Sequence, residues 1–240
     1  MSKLSEIKMD ERVLAYKQDL YEKTKHHLNI TIPKKIVEFR ELAEANTLRS
    51  KIELSKTTST TTTTTAPDGG EEPSKKRKLD LDAYENALPS LEELLKTNPA
   101  ILETHTIFKK YYIETIEIFS VIRGWITLNI PRVEDGNNFG VDIQEDIISQ
   151  ITKVEECYTT LLEYSENYHL TRAELVRKAL KHKDIDSYRF SIAKLDEKES
   201  FKSNFGYHDL AQNYATAYSV IVKNFSKLET PRPTNASNIY

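Results

Sequence analysis

The sequence predicts an all-α protein, an elongated antiparallel four-helix bundle, and three observations carry that prediction. Apolar residues recur in alternating steps of four and three over long stretches, the helical period and not the alternation of strands. The segments Ile101–Leu128 and Asp142–Leu180 contain no proline and only Gly124, so nothing punctuates them. A composition of 38% hydrophobic and 30% charged residues is that of amphipathic helices, each with one face to bury.

The first helix reads from Asp10 to about Leu54, with Leu14, Tyr21, Leu28, Ile32, Ile36, Phe39 and Ala43 as its apolar series. Pro33 interrupts it. The proline either kinks one helix or sits in the first turn of a second helix capped by Thr31, where its missing donor costs little.

At Ser55 the composition changes to a Thr and Ser run, Thr57 to Thr65, followed by Ala66-Pro67-Asp68-Gly69-Gly70. Such a segment has too little to bury to offset its ordering entropy, so 55–88 is expected to be a disordered linker. It separates a first helical segment, 1–54, from the rest of the bundle, 89–230. Within it lie Lys75, Lys76, Arg77 and Lys78, four adjacent cations in the format of an importin-type nuclear localisation signal. A solvated basic run with no reader is the other interpretation; an accessible linker favours the signal.

Ser90-Leu91-Glu92-Glu93 has the capping-box pattern, and Asn98-Pro99 pairs an N-cap residue with proline at the first helical position. The second long helix carries the seam Ile101, His105, Phe108, Tyr112, Thr115, Phe119, Ile122 and Ile126. Ile107, Ile113, Ile116, Ile118, Val121, Trp125 and Leu128 fall outside the seam, so this helix should be covered on several sides, other copies of the chain included. At 1.5 Å per residue, 101–128 would be about 42 Å long.

The third helix is expected to start at Asp142, with Glu145 three residues on, and to bury Ile147, Ile151, Val154, Tyr158, Leu161, Ser165 and Tyr168. Lys181-His182-Lys183 place positive charge at its carboxyl end. Asp184 or Asp186 begins the fourth, which runs through Ile192, Leu210, Tyr214, Ile221 and Leu228 until Pro231 and Pro233 end it. Residues 231–240 form a tail.

Between the second and third helices lies the loop 130–140, Ile130-Pro131-Arg132-Val133-Glu134-Asp135-Gly136-Asn137-Asn138-Phe139-Gly140. Pro131 forces the preceding helix to stop, and Asp135-Gly136 with Asn137-Asn138 tolerate the positive φ of tight turns. A chain reversal between antiparallel helices needs roughly 2–8 residues and no particular side chains. Two readings stand: an ordered connection whose polar groups satisfy one another, or a presented recognition loop.

Other chemistries find no support. No window approaches the roughly 18 apolar residues of a membrane span, and the amino terminus lacks the apolar core of a signal peptide. One cysteine, Cys157, excludes an internal disulfide and fits a reducing compartment; its helical position reads as a small core residue, not a nucleophile. The net charge of −3 gives no reason to expect nucleic acid. A di-metal site in a bundle needs two Glu-x-x-His pairs, and Glu166-Asn167-Tyr168-His169 is alone. Phosphate-loop, dinucleotide and nucleophile-elbow motifs are missing, so neither an enzyme nor a cofactor or metal is expected.

The segment Trp125 through Val141, continuing to Gln144-Glu145, closely resembles the activation-loop signature of the 11S (REG) proteasome activator family. The resemblance extends to the helix order, the variable insert after the first helix, Lys223-Asn224-Phe225 with Lys227-Leu228, and the terminal Ile239-Tyr240. Lys75–Lys78 looks like the nuclear signal of the gamma-type branch, while the Thr-rich insert departs from the family.

The resemblance implies a homoheptameric, ring-forming activator of the proteasome core particle. It would be ATP-independent and non-catalytic, and would promote ubiquitin-independent hydrolysis of peptides and proteins. Arg132, Val133, Glu134, Asp135, Gly136, Asn137, Asn138 and Phe139 would press on the α-subunit gate, with Asn137 at the centre. Asn238, Ile239 and Tyr240 would dock between α subunits. An importin-type receptor would be a further partner, and the location nuclear, with the cytoplasm second. A nuclear helical scaffold using the same loop and tail for another partner is the alternative.

Overall fold

The computed structural model describes residues 8–59, 90–133, 136 and 138–232, and no strand occurs among them. The basic run Lys75–Lys78, the loop residues Glu134, Asp135 and Asn137, and Asn238, Ile239 and Tyr240 lie outside the described residues. So does most of the expected linker. The helices are α1 (Glu11–His26), α2 (Ile32–Ser59), α3 (Leu91–Leu95), α4 (Pro99–Leu128), α5 (Phe139–Lys181) and α6 (Asp186–Glu229).

Pro33 falls in the first turn of a second helix, α2, as one of the two readings of that proline expects, but Thr31 lies within a helical turn and is not its N-cap. A π turn, His27–Thr31, joins α1 to α2, with the Ile32 N–H donating to the His27 carbonyl. A proline ring would collide with the carbonyl four residues back in a regular α-turn, and the wider turn relieves that crowding. Thr31 instead places its hydroxyl 3.3 Å from His27 Nδ1. At the other end, α2 continues to Ser59, past the expected boundary near Leu54.

Both predicted starts after the linker form. Ser90 Oγ accepts from the Glu93 N–H at 3.3 Å while Glu93 Oε2 accepts from the Ser90 N–H at 3.0 Å. Asn98 Oδ1 accepts from the Ala100 N–H at 3.0 Å, ahead of Pro99. Each bond satisfies a donor that a helix start leaves without a partner.

The chain forms two compact units. The first comprises the described parts of 1–40, 107–164 and 208–240. Its pairings run in opposite directions: Tyr21 meets Trp125 and Phe39 meets Tyr111, with ring centroids 5.7 and 5.0 Å apart. Arg123 Nε donates to Glu155 Oε2 at 2.9 Å, and Asn213 Nδ2 to the Tyr158 hydroxyl at 2.9 Å. As residue numbers rise along one helix they fall along its neighbour, the antiparallel bundle that the seams predict. Phe119, Ile122, Ile126, Ile147, Ile151, Tyr158, Tyr214 and Ile221 are buried from those seams. The first-helix series is partly wrong: Leu14 is 49% exposed, whereas Leu20 and Thr24 lie inside. Cys157 is exposed as well, not a core residue.

Thr115 and Tyr214 satisfy one another in this core, whereas the buried Thr24 hydroxyl finds no hydrogen-bond partner among the described residues. Thr115 Oγ1 donates to the Tyr111 carbonyl at 2.6 Å and accepts from the Tyr214 hydroxyl at 3.2 Å. Burial pushes the Tyr214 and Tyr158 phenols well above their ordinary pKa, so both remain neutral, Tyr214 donating to Thr115 and Tyr158 accepting from Asn213.

The second unit comprises the described parts of 41–106 and 165–207. Leu94, Ala179 and Ile192 form its apolar cluster, with Leu175, Val176 and Tyr188 against it. Arg172, 6% exposed, is the charged centre. Its Nε donates to Asp196 Oδ1 at 2.9 Å and an Nη to the Lys96 carbonyl at 2.9 Å, while Tyr168 donates to the same Asp196 at 2.7 Å. A buried guanidinium is tolerable only when its donors are met like this. Beside it, His105 Nε2 lies 3.0 Å from Glu199 Oε1, and the His169 ring stands edge-on to His105 at 5.4 Å.

Burial, then the proximity of His105 and Arg172, lowers the His169 pKa. Burial alone would raise Glu199, but hydrogen bonds from His105 and Lys202 outweigh it and hold that carboxyl low. With the folded value depressed in both, the unfolded chain takes up protons first as pH falls. The His169 contribution is therefore complete above the ordinary histidine value of about 6.5 and is lost as pH falls through its lowered folded value; that of Glu199 follows in stronger acid.

Two outcomes follow from these cores. Phe119→Ala should cost about 3–5 kcal/mol in urea unfolding at fixed protein concentration. Acidification from about pH 7.5 to about pH 5.5 should lower the melting temperature, and His169→Asn should flatten that slope; an unaltered slope would place the acid sensitivity elsewhere.

Candidate functional site

The predicted loop emerges where α4 ends and α5 begins. Asn129 closes α4 by donating its N–H to the Ile126 carbonyl at 2.9 Å, and Pro131 prevents another turn. The loop is outward-facing: Arg132 and Asn138 are exposed, Val133 is 99% exposed and Phe139 68%. Gly136 adopts φ 85°, the left-handed conformation expected of it.

The start of α5 differs from the expectation. Phe139, not a residue after Asp142, is its first residue, and the Asn138 carbonyl accepts from the N–H groups of Val141 (2.8 Å) and Asp142 (2.9 Å). Asp142 is thus inside the first turn, where its charge complements the helix dipole. Gly140 is also helical, and the reason is steric: a Cβ there would lie 2.0 Å from the Pro231 carbonyl oxygen. The first turn of α5 and the chain leaving α6 touch backbone to backbone.

Three side chains reinforce that contact. The last carbonyls of α6 have no intrahelical partner. Asn129 Nδ2 donates to those of Leu228 (2.6 Å) and Glu229 (2.9 Å), and buried Gln144 donates its Nε2 to Leu228 at 3.0 Å. Beyond Pro231, one Arg232 Nη donates to the Arg132 carbonyl at 2.8 Å and the other to Asn138 Oδ1 at 2.7 Å.

Sequence reading placed Arg132, Val133, Gly136, Asn138 and Phe139 in the loop, included Asn129 and Gln144 in the family signature and ended the fourth helix at Pro231, but it foresaw no contacts among these last three and gave Arg232 no part. Two signals could have found them. A glycine two residues before an expected helix start invites a close-packing explanation, and Arg232 lies between two prolines that stiffen its backbone.

The described residues of the arrangement offer hydrogen-bonding and apolar contact groups. Among the described residues, no three His, Cys, Asp or Glu side chains are grouped as metal ligands, and no helix is long and apolar enough to cross a membrane. Partial burial, together with Asp209, raises the Cys157 pKa, so its thiol is not activated.

The family model described as "Proteasome activator PA28, C-terminal" matches residues 94–238, the stretch that holds the loop and both flanking helices. The chain belongs to this family. As a PA28-family member it is an activator of the proteasome core particle, a regulatory role. "Proteasome activator 28" of Dictyostelium discoideum is 63% identical over 234 residues, 98% of this chain and 96% of the relative. "Proteasome activator complex subunit 3" of Homo sapiens is 34% identical over 172 residues, 69% of this chain and 67% of the relative. The crystal structure of the 11S subunit of the Plasmodium falciparum proteasome, PA28, matches with a TM-score of 0.70 at 28% identity, covering 96% of this chain and 100% of that one. A chain from the structure of an archaebacterial 20S proteasome–PA26 complex matches at 0.64 with 14% identity, covering 95% and 99%, a likeness of fold alone.

The two glycines should separate on substitution. Gly140→Ala must displace Pro231 and is expected to cost more than about 2 kcal/mol in urea unfolding. Gly136→Ala has no neighbour within 4 Å of its new methyl, so only local backbone strain of about 1–2 kcal/mol applies.

Proposed function

We propose that the PA28-family chain assembles as a homoheptamer of the gamma type. Its ring docks on the α-subunit ring of the core particle through tails ending Asn238-Ile239-Tyr240, and its loops open the gate without ATP or ubiquitin. The observation that carries this reading is the presentation of the loop: Val133 and Phe139 face outward, while Ile126 before them and Gly140 after them are buried.

Such a loop need not supply affinity. Ordering a tail costs conformational entropy, so one tail binds weakly, but several tails on one assembly act at high effective concentration. The loop then serves the gate, because only contacts that differ between open and closed states shift that equilibrium. Val13 and Leu14 on α1 and Ile113 on α4 are apolar and exposed in the single chain, which supports burial between copies. Lys75–Lys78 supports recognition by an importin-type receptor and a nuclear location, with the cytoplasm second.

Asn137→Tyr is expected to leave the variant bound to the core particle in co-sedimentation while abolishing its stimulation of fluorogenic-peptide hydrolysis; full stimulation would remove the loop from gate opening. Deleting Asn238–Tyr240 should abolish co-sedimentation and leave the native mass of the assembly unchanged. A wild-type chain that never alters hydrolysis would favour the nuclear scaffold with another partner.

A further inference from the structure

Arg232 stands where the chain passes from the bundle into its carboxyl-terminal segment, and its guanidinium meets both ends of the loop at once. One Nη donates to the Arg132 carbonyl at 2.8 Å, the other to Asn138 Oδ1 at 2.7 Å. The two acceptors belong to residues six positions apart, 138 minus 132, a stretch that could span roughly 20 Å if extended. A planar fork with fixed donor directions holds them within reach of a single side chain. That side chain is itself anchored. Pro231 is buried with its carbonyl against Gly140, and Asn129 and Gln144 secure the carbonyls of Leu228 and Glu229 just before it.

We propose that Arg232 is a positioning residue for gate opening: its guanidinium sets the posture of the loop by clasping Arg132 and Asn138 together. The same residue that begins the docking tail thereby fixes the loop that acts on the gate. Asparagine suits position 138 because its side-chain oxygen accepts from the guanidinium while its backbone carbonyl starts α5. Lysine at 232 would offer a point charge and no fork. The inference rests on the activator reading of the loop and tail, and it concerns the efficacy of the bound activator and not its affinity.

The test is a titration of latent core particle with intact activator, read by fluorogenic-peptide hydrolysis. The half-saturating concentration reports docking, the plateau reports gate opening, and native mass reports assembly. Arg232→Ala should lower the plateau at least about threefold. Its half-saturating concentration should stay within about twofold of wild type, since the tails remain, and its native mass should be unchanged. Arg232→Lys should recover part of the plateau. Arg232→Ala combined with Asn138→Ala should fall no further than the lower single variant, because the bond that Asn138→Ala removes is already lost in Arg232→Ala.

A wild-type plateau for Arg232→Ala overturns the inference, as do a plateau that falls only with loss of native mass and a double variant whose loss is the product of the two singles. In each of those results wild type still stimulates and the activator reading stands. A wild-type chain without stimulation overturns both.

Discussion

The backbone contact between Gly140 and Pro231 is the constraint on which the functional end of the PA28-family chain depends. It allows no side chain at 140, because the first atom of one would overlap the Pro231 carbonyl. From it follow the start of α5 at Phe139, the reach of Gln144 and Asn129 to the end of α6, and the place from which Arg232 extends. Backbone polar groups at helix ends are costly when buried without partners. Here the side chains that satisfy them also join the two termini, so helix capping and loop placement are one set of bonds.

Much of the fold was legible in the sequence because long unpunctuated helices repeat their burial pattern with little variation. The seams of α4 and α5 name Phe119, Ile122, Ile126, Ile151 and Tyr158 as core, and each is buried. Legibility ends where tertiary contact overrides local preference. Periodicity carried back in steps of seven put Leu14 inside, but the interior series is Leu20, Thr24, Leu28 and Ile32, in steps of four. In a regular α-helix each step of four drifts by about 40°, and the wider turn at 27–31 takes up part of that drift. Cys157 has a small apolar side chain that suits either face, and it falls outside the α5 seam. The loop was legible as a loop from Pro131 and Gly136. Its attachment to Arg232 was not, because the partners are about a hundred residues apart and no local pattern encodes the pairing.

The two units handle buried polarity differently. In the first, the buried tyrosines have neutral partners: Tyr214 bonds Thr115, and Asn213 bonds Tyr158. Neutral pairs of this kind fix register at small electrostatic cost. In the second, Arg172 shares Asp196 with Tyr168, and Glu199 lies against His105. There Glu199 and His169, whose carboxyl and imidazole are held below their ordinary pKa, bring stability that varies with proton concentration. The unit that carries the loop has ion pairs too, Lys35 with Glu114 and Arg123 with Glu155, but its buried Tyr158 and Tyr214 hydrogen-bond to the neutral Asn213 and Thr115.

The π turn before Pro33 has a consequence for how this helix tolerates change. Five residues there advance the chain by about as much rotation as four in a regular α-turn, so α1 and α2 show their faces as though one residue were missing. A single deletion within 27–31 would leave Leu20 and Ile32 facing inward, whereas the same deletion within α1 would swing upstream residues by about 100°. Yet closing the turn would bring the Pro33 ring onto a backbone oxygen. The spare residue and the proline therefore form a matched pair, and loss of either one alone leaves the other out of place.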